Sequence, residues 1–246
     1  MANVRIAAVA DVHCDEQAHG MLAESLREVN DQADALVLAG DLTTVGKVAE
    51  ARALVSELRD IRVPIVAVLG NHDYELDQDA AIAEVMRDAG IHVLDGTGVV
   101  LELAGQRVGF AGAKGFCGGF GRYLVAPFGE QSLKAFVKVG LREALGLADA
   151  LRRLETERRV VILHYAPISE TLAGESPELF PFLGNSGLCE PIDEYGADVV
   201  FHGHAHNGSL RGRTPRGIPV YNVARRIVET FVVHELPERP GGVTAA

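Results

Sequence analysis

The chain has 246 residues, 48 % of them apolar, with 27 glycines, 10 prolines and a formal net charge of −11. That is enough apolar sequence for one sizeable α/β domain, expected over residues 1–236, with a Pro- and Gly-rich tail at 237–246. With no run of about 18 apolar residues and no basic-plus-apolar leader, neither a membrane span nor a secretory signal is expected, and the expected location is cytoplasmic. The acidic balance weighs against a long nucleic-acid footprint, which needs a basic stripe to release counterions; Arg211, Arg213, Arg225 and Arg226 are scattered. Three cysteines, Cys14, Cys117 and Cys189, at no metal-site spacing fit a reducing compartment.

In chain order, apolar runs at 4–10, 35–39 and 65–69 read as strands and alternate with helical stretches at 18–29 and 48–58. This βαβαβ pattern implies a parallel sheet. A helix at 80–89 leads through Gly90 to a short strand at 92–94, and 99–103 with 107–111 form a hairpin around Ala104-Gly105-Gln106. Residues 133–154 repeat apolar positions at helical spacing and read as a helix covering the core. Strands follow at 160–163 and 199–201, and 209–210, 218–222 and 227–235 read as antiparallel strands closing a second sheet.

Five of these strand ends are followed by metal-ligand residue types: Asp11-Val12-His13, Gly40-Asp41, Gly70-Asn71-His72-Asp73, His164 and Gly203-His204-Ala205-His206. In an open α/β sheet the carboxyl ends of the strands border one crevice, so clusters far apart in sequence can converge. Five of the nine histidines fall in this pattern. His19, His92 and His234 read as surface or strand-edge residues. His202, two positions before His204, is open between aiming at the site and being a buried, hydrogen-bonded histidine. Cys14, next to His13, reads as a small space-filling residue.

The order D-x-H, G-D, G-N-H-D, H, G-H-x-H resembles that of the calcineurin-like metallophosphoesterases, over about residues 4–230. The resemblance implies a two-sheet β-sandwich flanked by helices, an αββα four-layer α/β fold. It implies a binuclear metal-dependent phosphoric ester hydrolase acting on a small phosphodiester or phosphomonoester through a metal-bridging hydroxide. Asp11, His13, Asp41 and His206 would hold one ion; Asp41, Asn71, His164 and His204 the other. His72 would stand on the leaving-group side, with Asp73 fixing its tautomer. Many relatives carry an Asp three residues after the G-D motif, where this chain has Thr44, which puts a supporting hydrogen bond in doubt, not a ligand.

The chemistry suits the residue types. Two ions about 3.5 to 4 Å apart clamp both sides of a phosphoryl transfer and lower the pKa of a bound water. Their mutual repulsion calls for a bridging anion, for which Asp41 is the candidate, while Asn71 can ligate through its neutral amide oxygen. Two divalent or trivalent ions (Mn, Fe, Zn or Co, with Mn or Fe favoured) suit imidazole, carboxylate and amide ligands without a thiolate.

The segments 112–129 and 168–187 read as long loops walling a substrate pocket. Lys114 or Arg122 could contact phosphate there, and Phe116, Phe120 or Tyr123 the leaving group; solvated charges and loop packing account for the same residues equally well. A small phosphate ester is the expected partner. A nuclease, a protein phosphatase and a non-catalytic scaffold on the same fold are the competing readings. The filled ligand pattern weighs against the last.

Overall fold

The computed structural model describes residues 3–18 and 20–236, so His19 and the expected tail at 237–246 lie outside the described residues. β1 (Val4–Val9), β2 (Ala35–Ala39) and β3 (Ile65–Val68) are parallel neighbours, and every residue of β2 and β3 is buried. Strands covered on both faces need apolar side chains at both parities, which is why neither segment carries a polar residue. β4 (His92–Val93) extends this sheet beyond β3 and β11 (Val232–Leu236) runs antiparallel to β1, giving the order β11-β1-β2-β3-β4.

The second sheet has the order β5-β6-β7-β8-β10-β9. Its members are β5 (Thr97–Leu103), β6 (Gln106–Ala113), β7 (Arg158–Leu163), β8 (Val199–His202), β9 (Arg211–Arg213) and β10 (Pro219–Asn222). The expected hairpin is β5–β6, closed by Ala104 and Gly105 alone, both at positive φ as a two-residue turn matched to strand twist requires.

Alternation along the strands builds the layers. Ile6, Val37 and Val66 meet Phe110, Ile162 and Phe201 between the sheets. Leu36 and Leu38 point outward to Leu54 of α3 (Val48–Glu57) and to Ile82 and Met86 of α4 (Asp79–Asp88). On the opposite side, Val161 and Val200 pack with Leu147 and Leu151 of α5 (Gln131–Arg153) and Ile192 of α7 (Cys189–Tyr195). The result is the expected αββα sandwich. Among the described residues no helix is long and apolar enough to cross a membrane.

Two expectations are corrected. The helix at 18–29 is two short ones, α1 (Met21–Ser25) and α2 (Val29–Gln32). Leu22, Leu26 and Val29 are buried on the same cluster, so the break costs little burial. The closing strands also divide differently: β10 runs parallel to β8, residues 225–228 form α8 (Arg225–Val228), and β11 joins the first sheet. Apolar alternation at 232–236 marks a strand, but not which sheet edge it covers; here Leu236 and Val232 pair with Val4 and Ala8 and shield the edge of β1. The long loops are also partly ordered, with short 3-10 turns at Gly121–Tyr123, Glu170–Leu172, Pro177–Leu179 and Ser186–Leu188 and one helical turn, α6 (Phe180–Leu183).

Candidate metal centre

β1, β2, β3, β7 and β8 run parallel within their sheets, and the five residue clusters sit at their carboxyl ends. Backbone bonds tie the exits together: Asp11 N donates to Gly40 O at 2.9 Å, His13 N to Asp41 O at 3.1 Å and Gly203 N to His164 O at 3.2 Å. Asp11, His13, Asp41 and His204 adopt positive φ (56°, 42°, 50° and 70°). This left-handed geometry is costly for residues with a Cβ and persists only where the surroundings enforce it. Two glycines are required by close approach. A Cβ at Gly70 would lie 2.1 Å from Asp41 Oδ1, and one at Gly203 would lie 2.4 Å from Asp11 Oδ2.

The side chains converge. Three groups, Asp11–His13–His206, His13–Asp41–His72 and Asp41–His164–His204, each bring their ligand-type atoms within 4.8 Å of one another. Asp41 is common to two of them. Its Oδ1 lies 3.2 Å from His164 Nε2, and its Oδ2 lies 3.9 Å from His13 Nε2 and 4.0 Å from His72 Nε2. Asn71 Oδ1 is 2.9 Å from His164 Nε2, and His206 Nε2 is 3.0 Å from Asp11 Oδ1.

Backbone carbonyls fix which ring nitrogens are free. His164 Nδ1 faces Ala39 O at 3.0 Å, His72 Nδ1 faces Thr44 O at 2.8 Å and His204 Nε2 faces Phe182 O at 3.2 Å. A carbonyl only accepts, so each of those nitrogens carries the proton. The lone pair is then left on His164 Nε2, His72 Nε2 and His204 Nδ1 in the neutral ring.

The electrostatics match a cation site. Burial alone would depress His164, but Asp41 and its hydrogen bond more than offset this and raise it to about 9. Burial would raise Asp41, and His164 holds it below the usual carboxylate range instead. Burial pushes His13 down and His204 down to about 3, which keeps both rings neutral, whereas the hydrogen bond to Asp11 raises His206. Buried carboxylates, an amide oxygen and clustered imidazoles form a donor set that fits hard-to-borderline metal cations.

The remaining expected residues divide. Asp73 does not touch the His72 ring, which corrects its expected role. Fully buried, it accepts from Leu42 N, Thr43 N, Thr43 Oγ1 and Gly70 N, and so pins the Gly40-Asp41 exit to the Gly70-Asn71 exit. Thr44, the departure from the wider pattern, donates through Oγ1 to His13 O at 2.8 Å. Lys114 is nearly buried, with Nζ 2.9 Å from Gly115 O, 3.9 Å from Glu143 and over the rings of Tyr74, Phe116 and Tyr165. Arg122 is exposed and lies on the Tyr123 ring.

Phe116 packs on Phe136 and Tyr165, and Phe120 on the Ala166–Leu172–Ala205 cluster. His202 is a buried, bonded histidine: Nε2 meets Thr171 Oγ1 and Nδ1 meets Gly203 O, both at 2.8 Å, and burial pushes it down to about 4. Cys14 is buried, its thiol pushed up to about 12 by burial. Sequence reasoning named Thr44 as a departure from the wider pattern but not as the partner of His72, and it missed Phe182 and Tyr165, whose ring lies 4.4 Å from that of His204. Tyr165 adjoins His164 in sequence and was open to inspection; Thr44 and Phe182 reach the histidines through carbonyl oxygens, which every residue type carries.

The sequence profile described as calcineurin-like phosphoesterase matches residues 4–208. The chain belongs to the calcineurin-like phosphoesterase family. Solved structures carry the same fold: phosphopantetheinyl hydrolase from Mycobacterium tuberculosis is 16 % identical, with a TM-score of 0.66 over 93 % of this chain and 92 % of that one. A putative 5'-nucleotidase from Staphylococcus aureus is 16 % identical, with a TM-score of 0.54 over 90 % of this chain and 48 % of that one. The Plasmodium protein described as the anchor in the inner membrane complex is 13 % identical, with a TM-score of 0.58 over 92 % of this chain and 73 % of that one. No curated protein matches the chain in sequence. At these identities the solved structures establish the shared fold of this calcineurin-like phosphoesterase, not its substrate.

Proposed function

We propose that this phosphoesterase is a binuclear metal-dependent hydrolase of a small phosphate ester. Asp11, His13, Asp41 and His206 would hold one ion, and Asp41, Asn71, His164 and His204 the other. The observation that carries this reading is the position of Asp41, whose two oxygens face His164 on one side and His13 on the other. When bound, the ions supply positive charge for the phosphoryl oxygens and an activated water. The chain's own residues do the rest. Asp41 offsets the repulsion of two cations, and Ala39 O, Thr44 O and Phe182 O hold three imidazoles in the orientation that presents a lone pair.

His72, held through Nδ1, presents Nε2 toward Asp41 at the rim of the cluster. Protonated, it can give that proton to a departing oxygen; unprotonated, it can receive one. The half-exposed position of His72 against the buried His164 fits contact with substrate better than a ligand role. Lys114, tethered to Glu143 and Gly115 O, would act on the field at the site rather than grip phosphate, and Arg122 would need to leave Tyr123 to reach it.

The test is hydrolysis of bis(4-nitrophenyl) phosphate and 4-nitrophenyl phosphate by the Mn-loaded protein, beside Asp41→Asn. Turnover of either, abolished in the variant, supports the reading and chooses between diester and monoester. Two bound metals with no turnover of any ester would return the scaffold reading.

A further inference from the structure

A cavity of about 160 Å³ adjoins the centre, with His13 as part of its wall and Val12, Gln17, Met21, Leu22 and Arg225 around it. At about 30 Å³ per water-sized group, it has room for a phosphate or carboxylate with a short stem. The chain at its far side is anchored to the strand end that carries Asp11: Ala10 N donates to Val223 O at 2.8 Å and Arg225 N to Ala10 O at 2.9 Å. Arg225 is half-buried, and its guanidinium has no hydrogen-bond or ion-pair partner among the described residues. Its nitrogens are not among the buried unpartnered atoms, so the guanidinium reaches solvent on the cavity side and is free to pair with an anion, and its planar fork suits a carboxylate or phosphate. Asp15 also borders the cavity, but its Oδ1 accepts from Gln17 N at 2.7 Å in an exposed turn.

We propose that this cavity is a subsite for a second anionic group of the substrate, carried on a short apolar stem beside Val12, Met21 and Leu22 and paired with Arg225. The proposal rests on the phosphoesterase reading and adds a substrate class to it: esters whose organic part bears a carboxylate or a further phosphate. Arg225 is then a specificity residue.

The experiment is calorimetric binding of three non-hydrolysable probes to the Mn-loaded full chain, with metal content measured before and after. Propylphosphonate lacks the second anion, 3-phosphonopropionate carries a carboxylate, and propane-1,3-diphosphonate carries a second phosphonate. Either probe with a second anionic group should bind about 10- to 100-fold more tightly than propylphosphonate, the effect of one charge-assisted contact. Arg225→Ala should erase that advantage, Arg225→Lys should restore part of it, and the preferred probe identifies the anion. Equal binding of all three, or equal loss of all three in Arg225→Ala with a lowered Tm, overturns the subsite and leaves the metal centre standing. No binding of any probe, together with no turnover of the nitrophenyl esters, overturns both readings.

Discussion

The Nδ1 atom of His72 lies 2.8 Å from the carbonyl oxygen of Thr44, so a backbone carbonyl, and not the carboxylate of Asp73, orients this ring. His72→Ala should lower kcat about 10²- to 10⁴-fold on esters with poor leaving groups, and far less on nitrophenyl esters, whose leaving group needs no proton. Asp73→Asn should act differently. It weakens a fourfold acceptor between two strand exits and should cost about 1.5 to 3 kcal/mol of stability for each charge-assisted bond lost, read as a lower denaturant midpoint. Its dependence of rate on leaving group should match that of the unaltered protein; a steeper dependence would show that Asp73 acts through His72 after all.

Gly70 and Gly203 leave space for carboxylate oxygens, so Gly70→Ala and Gly203→Ala should displace Asp41 and Asp11 respectively. Overpacking of this kind costs about 1 to 3 kcal/mol. Elemental analysis of the purified variants should find fewer than two metals per chain. Full occupancy with unchanged activity would mean the loops shift without moving the ligands.

Removal of metal by a chelator should stop hydrolysis and leave His164 as an imidazolium stabilised by the Asp41 carboxylate, titrating near 9 in the metal-free protein. Nitrogen NMR of the imidazoles reads this directly. Because the folded-state value lies above the ordinary 6.5, the contribution of this pair to stability is fully present below pH 6.5 and is lost as pH rises through about 9. In Asp41→Asn the largest raising causes are gone and only Asp11 and the Ala39 carbonyl oppose burial, so the same ring should titrate well below 9.

Glu57 of α3 accepts from the amides of Gly20, Leu22 and Ala23 at 2.7, 3.0 and 3.1 Å and so caps the start of α1 from a distance. Burial would raise its carboxyl, but these amides more than offset that and hold it below the usual value of 4.5. Its stabilisation is therefore fully present above pH 4.5 and is lost as pH falls through the lower folded-state value. Glu57→Gln should cost about 1 to 2 kcal/mol at pH 7 and progressively less as pH falls below 4.5, measured as urea midpoints over that range. A difference that does not change with pH would assign the effect to packing.

The local code was readable in particular stretches. The runs at 35–39 and 65–69 announced strands buried on both faces, and the hairpin and long helix α5 followed from alternation and helical spacing. The site was legible for the same reason: Asp11, Asp41, Asn71, His164 and His204 each follow an apolar run, and parallel strands place their ends together. Pairing partners were not legible. The strand at 232–236 alternates the same way whichever edge it covers, and only its pairing with β1, Leu236 opposite Val4 and Val232 opposite Ala8, decides the first sheet.

By itself, then, the sequence determined most of the elements, the order of the ligand-type residues and the family, because side-chain identity and periodicity are local properties. The tertiary structure alone decided that Thr44 rather than Asp73 holds His72, that His202 bonds Thr171 away from the centre, that Lys114 is tethered to Glu143, and that Arg225 reaches the cavity beside His13. Each depends on a carbonyl direction or on two segments separated by tens to hundreds of residues, and such distances are fixed only when the sheets pack.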